Sequence, residues 1–150
     1  MKRIVGVIPA RFGAKRFPGK PLVKICGKPM LQWVIEGVRS SSSLTEMMVA
    51  TDHDEIRQLA DSCGVKAIMT RSDLASGSDR VWEAVKEIDC DIVVNIQGDE
   101  PLIRGSLVDQ LVEPFLGGEE VEMTTLGRSL QDGDLDSLST AKIVLNRRHE

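Results

Sequence analysis

At 150 residues, 41% of them hydrophobic, the chain is long enough for one soluble domain with a real core. A formal net charge of −4 and a pI near 5.3 argue against general nucleic-acid binding, which usually needs a broadly basic face. No apolar run approaches the ~20 residues that span a bilayer, and no long apolar signal region opens the chain, so no membrane association and a cytoplasmic location are expected.

Ile4-Val5-Gly6-Val7-Ile8 reads as a buried strand and leads into a loop, Pro9 to Leu22, that carries Arg11, Lys15, Arg16 and Lys20. Open parallel sheets bind ligands where such loops leave the strands. Cations mixed with glycines suit a polyanion that is reached by side chains and backbone amides together, a triphosphate being the natural guess. Met30, Leu31, Val34, Ile35 and Val38 then recur at helical spacing behind Pro29, with Trp33 read as packing beside that stripe. Ser40 to Ser43 forms a connecting loop, and Met47 to Thr51 a second strand. Asp52 with Glu55 suggests a capping-type start to a helix bearing Ile56, Leu59, Ala60 and Cys63, stopped by Gly64.

Val65 to Met69 predicts a third strand, followed by the polar loop Thr70 to Asp73. Ser76-Gly77-Ser78-Asp79 opens a helix whose expected apolar face is Val81, Trp82, Val85 and Ile88. Ser76 serves there as N-cap, as ligand contact, or as both. Ile92 to Ile96 is a fourth strand that runs directly into Gln97-Gly98-Asp99-Glu100-Pro101. A helix over Leu107 to Phe115 follows, and Val121 to Leu126 and Ala141 to Leu145 read as further strands around an acidic, turn-rich segment. The alternation predicts a three-layer α/β fold with a mostly parallel sheet.

Cys26, Cys63 and Cys90 lie far apart without a Cys-x-x-Cys pair or a histidine at ligand spacing, which argues against disulfides and zinc; each reads as a buried structural thiol. His53 and His149 have no catalytic or metal-spaced company and read as cap or surface residues. Five residues separate Gly13 from Gly19, and Pro21 follows Lys20, so the first loop is no Walker A motif; G-x-G-x-x-G is absent too.

Right-handed crossovers bring the carboxyl ends of parallel strands to one edge, where the loops at 11–20, 70–76 and 97–101 would share a crevice. Arg11, Arg16 and Lys20 would stabilise a leaving pyrophosphate, and Asp99 is the candidate ligand for Mg²⁺. Gln97 would position an acidic co-substrate whose hydroxyl the metal makes a better nucleophile.

Ile8-Pro9-Ala10-Arg11, Arg16-Phe17-Pro18-Gly19-Lys20-Pro21-Leu22, Gly27-Lys28-Pro29-Met30, Ala50-Thr51-Asp52, Met69-Thr70-Arg71, Ser76-Gly77-Ser78-Asp79-Arg80 and Asn95-Ile96-Gln97-Gly98-Asp99-Glu100-Pro101 closely resemble the 3-deoxy-manno-octulosonate (Kdo) cytidylyltransferases, or CMP-Kdo synthetases. Phe17 stands where Leu is usual in that family. The resemblance implies a Rossmann-like nucleotidyltransferase fold that binds CTP. Ala10 would lie at the nucleotide, Arg11, Arg16 and Lys20 at its phosphates, Arg71, Ser76 and Gly77 near the cytosine, and Gln97 near the sugar acid and ribose. With Mg²⁺ on Asp99, Kdo would attack the α-phosphorus to give CMP-Kdo and pyrophosphate for lipopolysaccharide assembly. Family members extend well past residue 150, so residues 1–150 are expected to be the N-terminal, CTP-binding portion of a homodimeric enzyme with an incomplete fold. The alternatives are a nucleotide-binding module without turnover and transfer to another sugar acid such as 8-amino-Kdo.

Overall fold

A computed structural model of the chain describes residues 2–13, 17–118 and 120–146. Strand β1 (Ile4–Ala10) is its axis, because a run of apolar residues with almost no polar interruption suits a strand covered on both faces. Ile4, Ile8 and Ala10 pack toward one side and Val5 and Val7 toward the other, and all five are essentially inaccessible to water. A two-residue hairpin pair follows, β2 (Lys24–Ile25) and β3 (Lys28–Pro29), and then α1 (Met30–Val38), β4 (Glu46–Thr51), α2 (Asp54–Ser62), β5 (Lys66–Met69), α3 (Gly77–Val85), β6 (Ile92–Asn95) and α4 (Gly105–Leu116).

Among the described residues the main sheet has four parallel strands in the order β5-β4-β1-β6, with Val7 opposite Met48 on one side and Asn95 on the other. Helices α1, α2 and α4 cover one face through Leu31, Val34, Ile35, Ile56, Ala60 and Val108, while α3 covers the other through Val81, Ala84 and Val85. This is the expected three-layer arrangement. The strand order reverses between β1 and β6, which makes the carboxyl edge there a switch point, the place where such sheets hold ligands.

Several sequence expectations are corrected. Val121 to Leu126 and Ala141 to Leu145 form no strand; no helix or strand occurs between residues 120 and 146, and Met123 and Val144 stand 86% and 87% exposed. Alternating apolar residues show only that a segment suits a half-buried surface, and a strand also needs an edge to pair with. Trp82 is off the buried face of α3 and 66% exposed, while the charged Arg80 takes an inward position. Asp52 caps nothing: His53 is the N-cap residue of α2 and makes no side-chain cap bond. Cys26 is exposed at the hairpin tip, where its φ of 51° and the 82° of Gly27 give the paired left-handed conformation of a two-residue hairpin turn.

Cys63 and Cys90 are half-buried rather than buried, and Ile88 lies past the end of α3. Three other local signals hold. Ser76 Oγ accepts from the Asp79 amide at 3.1 Å while Asp79 Oδ2 accepts from the Ser76 amide at 3.0 Å, a reciprocal capping box. Trp33 packs beneath the hairpin, donating Nε1–H to Ile25 O at 2.9 Å with Lys28 Nζ over its ring. The serine loop is held from α4: Asp109 accepts from Ser41 Oγ at 2.6 Å, from the Ser42 amide and hydroxyl, and from the Ser43 amide at 3.0 Å. Burial raises the Asp109 pKa, but these donors outweigh it and hold the carboxyl well below the usual carboxylate range. No helix among the described residues is long and apolar enough to cross a membrane.

Candidate nucleotide site

Three loops converge at the carboxyl ends of β1 and β6. The first continues from Ala10 into Arg11 and returns through a 3₁₀ turn at Lys20–Leu22. Its mouth is closed by Gly19, whose amide donates to Phe12 O at 2.8 Å. The second loop enters α3 at Ser76 and Gly77, and the third leaves β6 as Gln97-Gly98-Asp99. Pro9 sits between the latter two: a side chain on Gly98 would place its Cβ 2.9 Å from Pro9 O, and one on Gly77 would reach 3.5 Å from the Pro9 ring. Glycine at 98 is therefore a requirement of close backbone approach.

Together these loops enclose an open cleft of about 970 Å³, large enough for a nucleotide. The lining includes Ala10, Arg11, Lys20, Ser76, Gly77, Gln97 and Asp99, seven of the nine residues singled out from the sequence. Arg71 is not among the lining residues; its Nε pairs with Asp73 Oδ1 at 3.1 Å, both side chains being exposed. Arg16 lies outside the described residues, as do Lys15 and His149. The lining also contains Phe17, Pro21 and Arg80. Arg80 was missed as a site residue because a charged residue inside a helix reads as solvent-facing, although it shares a helical face with Ala84.

Within the cleft Lys20 Nζ donates to Asp99 Oδ2 at 2.7 Å, and both side chains remain well exposed. Cation and carboxylate thus share one surface, the pattern a metal-bound polyphosphate needs. Gln97 Nε2 reaches Asn95 Oδ1 at 3.4 Å, and Asn95 Nδ2 reaches Ser78 Oγ at the same distance, linking the third loop to α3. The exposed α3 amino terminus adds backbone donors beside these groups. Among the described residues no three His, Cys, Asp or Glu side chains converge as a metal cage. Asp99 is the carboxylate among the lining residues, and a Mg²⁺ held there would take its other oxygens from phosphate and water.

A parallel sheet with cations, a carboxylate and a helix amino terminus gathered at its switch point is a Rossmann-like arrangement, and the solved structures that superpose on it make it a nucleotidyltransferase fold. The chain belongs to the cytidylyltransferase family, whose model matches residues 5–148. It is 51% identical over 148 residues to a 3-deoxy-manno-octulosonate cytidylyltransferase of Bdellovibrio bacteriovorus, a match covering 99% of this chain and 60% of that protein. It is 42% identical over 151 residues to an 8-amino-3,8-dideoxy-manno-octulosonate cytidylyltransferase of a Shewanella species, covering 97% of this chain and 62% of that one. Among solved structures, a CMP:2-keto-3-deoxy-manno-octonic acid synthetase complexed with CTP superposes with a TM-score of 0.74 at 45% identity, over 77% of this chain and 48% of the other. The chain thus spans about 60% of the length of the curated relatives it matches.

Proposed function

We propose that residues 1–150 form the CTP-binding domain of a cytidylyltransferase that joins CMP to Kdo with release of pyrophosphate. The observation that carries this reading is the meeting of Arg11, Lys20, Ser76, Gly77, Gln97 and Asp99 in one cleft at the switch point. Arg11 and Lys20 face the β- and γ-phosphates, with Arg16 joining them from the same loop. Gly77 offers a backbone donor to the nucleotide, with Ser76 beside it and Ala10 at the end of β1 lining the same cleft. Arg71 serves the cytosine only by leaving Asp73.

The anomeric oxygen of Kdo, oriented by Gln97, forms the new bond to the α-phosphorus while the bond to the bridging oxygen breaks. Pyrophosphate departs with that electron pair, and the hydroxyl proton passes to solvent. Arg11 and Lys20 stabilise the charge growing on the leaving group, so they act more strongly in the transition state than in the ground state. Asp99 would hold Mg²⁺, which supplies phosphate neutralisation and acidifies an attacking hydroxyl. The reading extends to a cytoplasmic, homodimeric full-length protein in lipopolysaccharide biosynthesis.

The identity to an 8-amino-Kdo enzyme supports a second acceptor, and nucleotide binding without turnover is the third reading. Pyrophosphate release with Mg²⁺ and CTP, with Kdo or 8-amino-Kdo as acceptor, separates the three. Transfer to Kdo with a loss of about a hundredfold in Arg11→Ala is the expected result for the first reading. CTP binding without turnover would assign the module, and full activity in Asp99→Ala would remove that residue from the metal site.

A further inference from the structure

One buried guanidinium ties together the ends of three adjacent strands beside the cleft. Arg80, in the first turn of α3, is 1% exposed. Its Nη2 donates to Asp52 Oδ2 at 3.0 Å, just past β4, and its Nη1 donates to Thr70 Oγ1, just past β5. Thr70 Oγ1 in turn donates to Thr51 O at 3.0 Å. The other oxygen of Asp52 accepts the backbone amide of Phe12 at 3.2 Å, just past β1.

Phe12 is thereby held on every side. Its amide is bonded to Asp52, its carbonyl accepts from Gly19, and its ring stacks on His53 with centroids 4.0 Å apart and planes 11° from parallel. Arg11 stands between this clamped residue and Ala10, the last residue of β1. Two peptide groups therefore fix its Cα and the direction in which its side chain leaves. Arg80 itself lines the cleft, but its guanidinium is turned to Asp52 and Thr70 and almost wholly covered, which makes it a poor phosphate ligand and a good strut.

We infer that Asp52 and Arg80 are positioning residues for the nucleotide: their buried pair holds the Phe12 peptide, and through it Arg11 and the mouth of the cationic loop, where they meet the phosphates. The inference rests on the nucleotide reading above for its ligand, and on hydrogen bonds within the chain for its geometry. Charge alone does not meet the requirement. Asparagine at 52 keeps the shape but offers one oxygen and one amide group, so a donor must face either Arg80 or the Phe12 amide. The charged partner claims the oxygen, and Phe12 is released.

The test compares the wild-type chain with Asp52→Asn and with Asp52→Leu/Arg80→Met, at a temperature where circular dichroism shows each folded. Calorimetry reads affinity for CTP with Mg²⁺, and NMR hydrogen exchange reads the Phe12 amide against the Ile8 amide in β1. Both variants should speed exchange at Phe12 by more than at Ile8, whose own change reports global stability, and bind CTP about tenfold more weakly, the effect of losing one charge-assisted hydrogen bond. The double variant leaves no buried charge unpaired, so it carries the same expectation if the single one does not fold. A folded variant that binds CTP as the wild type does, or keeps Phe12 protected, overturns the inference. A wild-type chain that binds neither CTP with Mg²⁺ nor inorganic tripolyphosphate overturns the nucleotide reading, and with it the ligand half of this one.

Discussion

Two acid–base pairs stand at the same edge of the sheet in opposite surroundings. Asp52 and Arg80, 3.0 Å apart, have side chains 10% and 2% exposed, whereas Lys20 and Asp99, closer at 2.7 Å, are 37% and 49% exposed. Distance alone would rank the second pair the stronger. Solvent reverses that order: water screens Lys20 and Asp99, so each can exchange the other for phosphate or metal at little cost. Asp52 and Arg80 have left water already, and removing either strands a charge in the interior. One pair is built to stay and the other to be exchanged.

The largest effect should come from breaking the buried pair. Asp52→Ala or Arg80→Met alone should lower the unfolding free energy in urea by about 3–5 kcal/mol, and the two together should recover much of that loss. A single variant losing under about 1 kcal/mol would show that the pair is not desolvated in solution. Next comes the backbone beneath the exposed pair. Gly98→Ala drives a Cβ toward Pro9 O, and a loss of about 1–3 kcal/mol in the same measurement would show that this side is rigid in its main chain while its side chains exchange freely.

A third carboxylate separates hydrogen bonding from ion pairing. Asp109 is held below its ordinary value by hydroxyl and amide donors of the serine loop, and Asp109→Asn should cost about 1–2 kcal/mol at neutral pH. Because its folded pKa is depressed, its contribution is complete above the unfolded carboxylate value of about 3.9 and is lost as pH falls through the lower folded value. An acid titration of stability should therefore be flatter in the variant across that window. The smallest effect belongs to the exposed pair: Lys20→Ala or Asp99→Ala should change stability by no more than about 0.5 kcal/mol, while calorimetry shows CTP binding with Mg²⁺ impaired.

Much of this contrast was visible in the sequence on one side and hidden on the other. Lys20 and Asp99 lie in loops after apolar strands, and strand ends of a parallel sheet share an edge, so their meeting followed from topology. The buried pair joins residues 28 positions apart through a helix whose inward face was legible at Val81 and Val85 but not at position 80 or 82. Trp82 counted as apolar and Arg80 as polar, and tertiary packing reversed both. Asp52 looked like a cap because Glu55 stands three residues on, yet the Phe12 amide and Arg80 claim its oxygens. The capping box at Ser76 was legible because both partners lie within one turn. Val121 to Leu126 and Ala141 to Leu145 had the pattern of strands, but pairing depends on a distant edge that no local pattern encodes.

That edge bears on the shape of the cleft. Among the described residues β6 pairs with β1 alone, so its outer backbone groups between Ile92 and Asn95 face away from the sheet, with Val93 39% exposed beside them. Gln97 and Asp99 emerge only a few residues further on. A strand laid against that border would end beside them and raise a third wall around the cleft. Selectivity at that edge would then be set by whatever lies against β6, while the cations Arg11 and Lys20 stay on the loop that leaves β1.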